Sequence, residues 1–317
     1  MNLYSQIAKN KRQTVIYVAI FLVFAGAIGW FISYYYNDGG TSAFLALAIS
    51  LPMALFSYFG SERVALAANG AIPIDPKRSP AEKDLYRMVE NLCISIGLPM
   101  PKIHIVEDPA MNAFACGRDP EHASIAFTTG LIQKLERAEL EGVAAHELSH
   151  IKNYDVRLST VVVILVGLIA LLSDWFLRFG FFGGRRRRSS DSEGGSGNGI
   201  LMIVGIVLIV LSPIIARLIS LAVSRRREFL ADASGALITR YPDGLARALQ
   251  KIDADSAEYK HANDATMHLY FESPYAGNKH GNWLHRLFAT HPPAEERIAA
   301  LMNLDLKKFE REYQLKK

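Results

Sequence analysis

The chain has 317 residues, half of them hydrophobic, and carries a formal net charge of +4 at pH 7. Its basic residues flank apolar blocks and do not form a surface interleaved with aromatic residues, which excludes nucleic acid as an expected partner. Cys93 and Cys116 are the only cysteines, too few for a disulfide framework, and they indicate a reducing compartment.

Four apolar segments dominate the chain. Thr14 to Ser33 and Thr41 to Gly60 each run for roughly 20 residues without a charge, which matches a hydrocarbon thickness of about 30 Å and predicts spanning helices. A cleaved signal peptide is the alternative for the first segment, but its apolar stretch is too long, and an uncleaved anchor is predicted. Residues 159–182 and 199–222 are predicted to span, with buried core helices or re-entrant segments as the alternative.

The distribution of Lys and Arg predicts the orientation of these segments, because basic residues near span ends mark the cytoplasmic side. Neither residue occurs between Asn37 and Gly40, whereas the N-terminal flank, the segment after the second span and Arg225–Arg227 are basic. This places the N-terminus, residues 61–158 and the chain from Arg225 in the cytoplasm. Arg185–Arg188 oppose it, so either the last two segments do not fully cross or the rule is overridden locally.

The polar regions contain recognisable helices and strands. Ser79-Pro80-Ala81-Glu82 forms a capping box that begins a helix running to about Ile96. A small sheet is predicted from Lys102–Val106 and Ser124–Thr128, with Asn112–Cys116 as a third candidate strand. Further helices are predicted over Glu136–Tyr154, Arg225–Ile238 and Leu245–Ile252, and a flexible loop over residues 183–199.

The segment His146-Glu147-Leu148-Ser149-His150 carries the strongest chemical signal. In a helix, two imidazoles at i and i+4 share one face and can bind a single ion, for which zinc is expected, one per chain. Glu147 lies on the next face, where a carboxylate can take the proton of a water that attacks a carbonyl. The alternative is two histidines satisfied on a helix surface.

A catalytic zinc needs a third protein ligand and an open position for water. The pattern HExxHxxGxxH is excluded, since its Gly and last His positions hold Asn153 and Val156. Glu228 and Asp232 instead share one helical face at i and i+4. Glu228 is predicted to bind zinc, and Asp232 to accept the free N–H of His146 and fix its tautomer. On spacing alone, Glu228 could merely neutralise Arg225–Arg227.

Topology supports this ligand set, because a helical hairpin between the two motifs returns Glu228 to the side of His150, close to the membrane surface. We predict a mostly α-helical membrane protein, with about four transmembrane helices and an α+β zincin-type metalloprotease domain containing a small sheet. The predicted units are residues 1–60 (two spans), 61–157 (first half of the protease domain), 158–224 (the hairpin) and 225–317 (second half, with the third ligand).

With these motifs the chain resembles the HtpX-like membrane metalloproteases, bacterial relatives of the CAAX prenyl proteases. The shared features are the N-terminal spans, the apolar hairpin, Asn112-Ala113-Phe114-Ala115, LEGVAAHELSHIKNYD from Leu140, EFLAD from Glu228 and FATHPPAEERI from Phe288. The resemblance implies a zinc endopeptidase of the bacterial inner membrane, facing the cytoplasm, that helps to degrade misfolded membrane proteins under stress.

The same resemblance implies roles for three further residues. Asn112 would line the substrate cleft, where an extended peptide could add to a strand edge, or would be an ordinary turn residue. His291 and Arg297 would stabilise the oxyanion formed on the attacked carbonyl. The alternatives are a loop or helix-cap residue for His291 and a structural ion-pair partner for Arg297.

Two other functions are weighed against a quality-control protease. A CAAX-type processing protease would share the zinc motif and cleave near a lipidated C-terminus, but four apolar segments are fewer than those enzymes have. A non-catalytic membrane scaffold with a structural zinc is disfavoured by Glu147, because a structural site needs no base.

Overall fold

A computed structural model describes residues 3–161, 225–257, 259, 271 and 292–303. The two later apolar segments, apart from residues 159–161, lie outside the described residues, as do the predicted loop 183–199 and His291. The predicted count of four spanning helices therefore stays a prediction, as does the division of the chain at residues 60, 157 and 224.

Two long helices, α1 (Leu3–Tyr36) and α2 (Thr41–Ala68), form an antiparallel hairpin at the N-terminus. Each contains a window long and apolar enough to cross a membrane, and only 17% of that window is buried inside the molecule. The apolar side chains therefore mostly face outward, as lipid-facing residues do. The helices approach closely at Gly29, where a Cβ atom would lie 2.4 Å from the Cβ of Ala46.

The helix predicted from the capping signal is α3 (Pro80–Ile96), which ends at Gly97 with φ of 63°. The Ser79 hydroxyl accepts the backbone N–H of Glu82 at 3.1 Å, as predicted. In a capping box the Glu82 carboxylate would accept the backbone N–H of Ser79. Here it accepts the N–H of Asp75 instead, at 2.8 Å. The incoming chain folds back over the first turn and offers that donor instead.

A four-stranded sheet has the order β1-β2-β4-β3, with β1 before α3 in the chain and the other three strands after it. The predicted strands correspond to β2 (Lys102–Val106), β3 (Ala113–Asp119) and β4 (His122–Thr128), while β1 (Ile72–Pro73) is too short to show a pattern. β2 and β4 are parallel, and the other pairs are antiparallel. Within the described chain β3 is an edge strand, and the N–H of Phe271 donates to the carbonyl of Ala113 at 2.8 Å.

Five further helices follow the sheet in the described part of the chain: α4 (Thr129–Lys134), α5 (Arg137–Lys152), α6 (Arg225–Thr239), α7 (Pro242–Asp253) and α8 (Ala294–Met302). α5 lies at the centre, in contact with the sheet and with α6 and α7. Its neighbours come close because glycine stands at the crossings. A Cβ at Gly142 would lie 2.9 Å from Leu245 Cα, and one at Gly235 would lie 3.1 Å from His146 N.

Candidate metal centre

The centre is built on α5, whose first turn is secured by a capping box between Glu136 and Glu139. The last two turns present His146 and His150 on one face, with their Nε2 atoms 3.0 Å apart. His146 is 1% exposed, and Glu147 is 3% exposed. The i, i+4 spacing thus produces the paired imidazoles that the sequence predicts, in a site largely closed to water.

The third group of the site comes from α6. Glu228 lies with one carboxylate oxygen 3.8 Å from His146 Nε2 and the other 3.6 Å from His150 Nε2. One donor atom from each of the three residues falls within 4.8 Å of the others. A tetrahedral zinc with bonds of about 2.0–2.1 Å separates its ligand atoms by about 3.3 Å, so this group is positioned for a metal ion.

Carboxylates hold the far side of both imidazole rings. Asp232 Oδ1 lies 2.9 Å from His146 Nδ1, and Asp155 Oδ2 lies 3.1 Å from His150 Nδ1. A carboxylate on Nδ1 favours the tautomer with its proton there and leaves the Nε2 lone pair available. Two neutral imidazoles whose Nε2 lone pairs converge at 3.0 Å repel unless a proton or a metal ion is shared between them, and the Glu228 oxygens beside them complete a donor set that fits a metal.

The electrostatics of the two histidines differ without a metal. Burial lowers the pKa of His146 to about 4, although Asp232 opposes this. Burial also disfavours the imidazolium of His150, but the hydrogen bond to Asp155 and the charge of Glu228 outweigh it and raise its pKa to about 9. Burial acts against the charge of Asp232, yet the guanidinium of Arg297 holds its pKa down to about 2.

Arg297 lies behind the metal centre and is completely buried. Its guanidinium donates to both oxygens of Asp232, at 2.9 and 2.7 Å, and to the carbonyl of Phe271 at 3.2 Å. One of its nitrogens lies 3.5 Å from His146 Nδ1. These contacts match the ion-pair alternative from the sequence, since the guanidinium faces the outer side of the His146 ring.

Removal of Arg297 is expected to destabilise the protein severely. An Arg297→Met variant leaves the buried Asp232 charge without its guanidinium, which costs about 3–5 kcal/mol. Arg137→Met is the control, because its exposed i, i+4 pair with Glu141 contributes about 0.3–0.5 kcal/mol. Denaturant unfolding of both variants measures the difference. Equal stability of the two variants would contradict this role for Arg297.

Asn112 immediately precedes the edge strand β3 and is 4% exposed. Its backbone N–H donates to Thr128 Oγ1 at 2.9 Å, and its side-chain oxygen accepts the N–H of Ala113 at 3.0 Å. It therefore shapes the start of β3, the edge strand within the described chain. His291, the other residue suggested for the active site, lies outside the described residues.

Two residues near the histidines have no counterpart among the predicted site residues. The Phe271 ring lies edge-on to the His146 ring, with centroids 4.9 Å apart, and the Arg297 guanidinium lies 4.6 Å from the centroid of the Phe271 ring. Phe271 comes from a segment without clear periodicity. Asp155 follows the end of α5 and contacts His150. An acidic residue five positions after His150 was the sequence signal that could have indicated this contact.

Two histidines and a glutamate on adjacent helices, with a buried carboxylate one residue after the first histidine, define a metallopeptidase centre of the HExxH class. The fold adds two helices able to cross a membrane. Comparison with known proteins gives the family: residues 79–305 match Peptidase family M48. The chain belongs to Peptidase family M48 and is a membrane metalloprotease, a hydrolase of peptide bonds.

Relatives cover nearly the whole chain. It is 43% identical over 305 residues to a "Protease HtpX homolog" of Caldanaerobacter subterraneus, a match that covers 96% of this chain and 98% of the relative. A protein of the same name from Streptococcus pneumoniae is 42% identical over 306 residues, with 95% and 100% covered. A crystal structure of S. mikatae Ste24p matches with a TM-score of 0.48 at 18% identity, covering 94% of this chain and 67% of that one.

Proposed function

We propose that this protein is a zinc-dependent endopeptidase, with one zinc ion held by His146, His150 and Glu228. The observation that carries the proposal is the convergence of their donor atoms within 4.8 Å beside the buried Glu147. Zinc, when bound there, polarises the scissile carbonyl and makes an attacking water more acidic. The proton-donating Nδ1 atoms of both histidines are held by Asp232 and Asp155.

Glu147 is the general base of the proposed reaction. It is 3% exposed and directly follows His146 in α5, so its carboxylate belongs to the same helix as two of the proposed ligands. Glu147 accepts the proton of the water that attacks the carbonyl carbon, and then passes it to the amide nitrogen as the peptide bond breaks. The products are a carboxylate and an amine.

We propose misfolded membrane proteins as substrates, in quality control under stress. The close connection between the site and the membrane helices supports this: α1 reaches the end of α5 through Asn10, which donates to the carbonyl of Asn153 at 3.0 Å. An extended substrate would add to the edge strand that begins beside Asn112. Arg297 donates to both oxygens of Asp232 and to the carbonyl of Phe271, so a direct oxyanion contact is not part of the proposal.

The proposed location is the bacterial inner membrane, with several spans and the active site facing the cytoplasm. The N-terminal end of α1 contacts the site through Asn10, and the far end of α2 contacts the sheet through Glu62, which pairs with Lys102 at 3.0 Å. The loop Asn37–Gly40, which has no Lys or Arg, lies between the opposite ends of the two helices. This arrangement supports a basic, cytoplasmic side that contains the site.

Metal removal and return tests the proposed function. The detergent-solubilised protein should lose cleavage of casein or of a membrane protein when a chelator removes its metal, and should recover it with one equivalent of zinc. Zinc binding at one per chain without cleavage of any substrate would favour the scaffold alternative. Faster cleavage of a prenylated peptide than of the plain peptide would favour CAAX-type processing.

Metal affinity is expected to fall as the pH falls. His150 has a pKa of about 9 without metal, so its imidazolium must lose a proton before Nε2 can bind an ion, whereas His146, at about 4, is already neutral. One proton is released per ion, which lowers zinc affinity about tenfold per pH unit between about pH 8 and 6. Chelator competition across that range measures the slope, and a flat profile would contradict it.

A further inference from the structure

A polar side chain on the first membrane helix is buried against the metal centre. Asn10 lies at the N-terminal end of α1 and is 0% exposed. Its amide nitrogen donates to Asp155 Oδ1 at 2.6 Å and to the carbonyl of Asn153 at 3.0 Å. Its amide oxygen accepts from the guanidinium of Arg227 at 3.2 Å. A buried amide costs free energy unless it is hydrogen-bonded. The hydrogen-bond partners of Asn10 belong to segments that adjoin the candidate ligands.

The Asp155 carboxylate connects Asn10 to a candidate metal ligand. One oxygen of Asp155 receives the Asn10 amide, and the other lies 3.1 Å from His150 Nδ1. Asp155 reaches back to His150 because Tyr154 has a left-handed conformation, with φ of 60°, which ends α5 and turns the chain. Lys11, next to Asn10, lies 4.1 Å above the Tyr154 ring and covers this turn.

Asn10 also touches the segment that carries the third candidate ligand. Arg227, which donates to Asn10, is 4% exposed and immediately precedes Glu228 in α6. Its Nη1 lies 3.9 Å from the Asp155 oxygen that Asn10 contacts. The single amide of Asn10 thus connects α1 with the end of α5 and the start of α6, the two helices from which His150 and Glu228 project.

We propose that Asn10 is a positioning residue of the metal centre. The first membrane helix then helps to orient a metal ligand and also anchors the protein in the membrane. The inference rests on the proposed function, because it takes His150 and Glu228 to be metal ligands. Asn10 holds the Asp155 carboxylate, the carboxylate orients the His150 ring, and Nε2 is directed at the ion. Loss of an outer partner of this kind lowers metal affinity by about 10- to 100-fold.

Zinc affinity of the full-length protein in detergent, measured by chelator competition, tests the role of Asn10. An Asn10→Ala variant should bind zinc about 10- to 100-fold more weakly than the native protein. Phe21→Ala is the matched control: Phe21 is 4% exposed on the same helix and packs with Ala54 and Val161, without polar contact to the site. It should lower thermal stability but leave zinc affinity within about threefold.

An exchange of side chains provides a second test should Asn10→Ala fold poorly. Asn10→Asp alone sets a second carboxylate against Asp155, removes the donor and should weaken zinc binding. Adding Asp155→Asn restores one amide and one carboxylate and should recover part of the lost affinity. A structural role for Asn10 in stability alone predicts no such recovery.

Three outcomes would overturn the inference: native zinc affinity in Asn10→Ala, an equal loss in Phe21→Ala, or no recovery in the exchanged variant. Failure of the proposed function is separate, because it would appear as absent or substoichiometric zinc binding by the native protein. The comparison among variants uses affinity, so it does not depend on finding a substrate.

Discussion

Replacement of Glu147 by glutamine is expected to slow peptide-bond cleavage by about 10²- to 10⁴-fold while zinc affinity stays native. The glutamine amide has nearly the same shape as the carboxylate but cannot take a proton from water at neutral pH. Glu147 is 3% exposed within the well-capped α5, so this near-isosteric change should leave the helix in place. The measurement is kcat/KM on a defined peptide, with zinc content determined on the same sample.

The control for this prediction is Glu141→Gln, on the same helix. Glu141 pairs with Arg137 at 3.1 Å on the exposed side, and its loss should change neither cleavage nor zinc content. Cleavage by Glu147→Gln at the native rate would exclude Glu147 as the base. A variant without zinc would leave the chemistry open and point to a role of Glu147 in metal binding.

Removal of the Glu228 carboxylate is expected to have the largest effect on metal binding. In a Glu228→Ala variant the site keeps two neutral imidazoles and loses its anionic donor, so zinc affinity should fall by more than the 10- to 100-fold that an outer partner contributes. Cleavage should vanish at limiting zinc and return only partly at high zinc. Chelator competition and a zinc titration of activity measure both effects.

The prediction also separates the two interpretations of Glu228. If Glu228 only neutralised the adjacent arginines, Arg226→Ala would matter as much as Glu228→Ala. Arg226 is exposed on α6, and its replacement should leave zinc affinity unchanged. Native zinc affinity in Glu228→Ala would remove this residue from the ligand set.

Local sequence predicted the elements whose structure depends on neighbours along the chain. α3 begins and ends where Ser79, Pro80 and Gly97 indicate, and β2 has the predicted bounds. The spacing of His146 and His150 in α5 brings their rings together, because a helix repeats every 3.6 residues. The two N-terminal helices follow from uninterrupted apolar length in the same way.

Other features could not be predicted from the spacing of residues along the chain, because they depend on contacts between distant segments. Asp155 meets His150 through a turn whose left-handed residue is Tyr154, a bulky side chain that no turn rule favours there. Phe271 packs on His146 from a stretch without periodicity. Arg297 was predicted as an oxyanion group from family resemblance, or as an ion-pair partner, and only its contacts favour the second role.

The sequence by itself determined the class of chemistry, since the paired histidines and Glu147 lie within five residues of one helix and need no other segment to be recognised. It also determined the apolar helices, because membrane solvation depends on composition and length. Only the tertiary structure decided which carboxylate orients each histidine, where Arg297 lies, and that Asn10 of the first helix joins the site. Those contacts join residues up to 217 positions apart, and buried hydrogen bonds over such distances form only when helix packing brings the partners together.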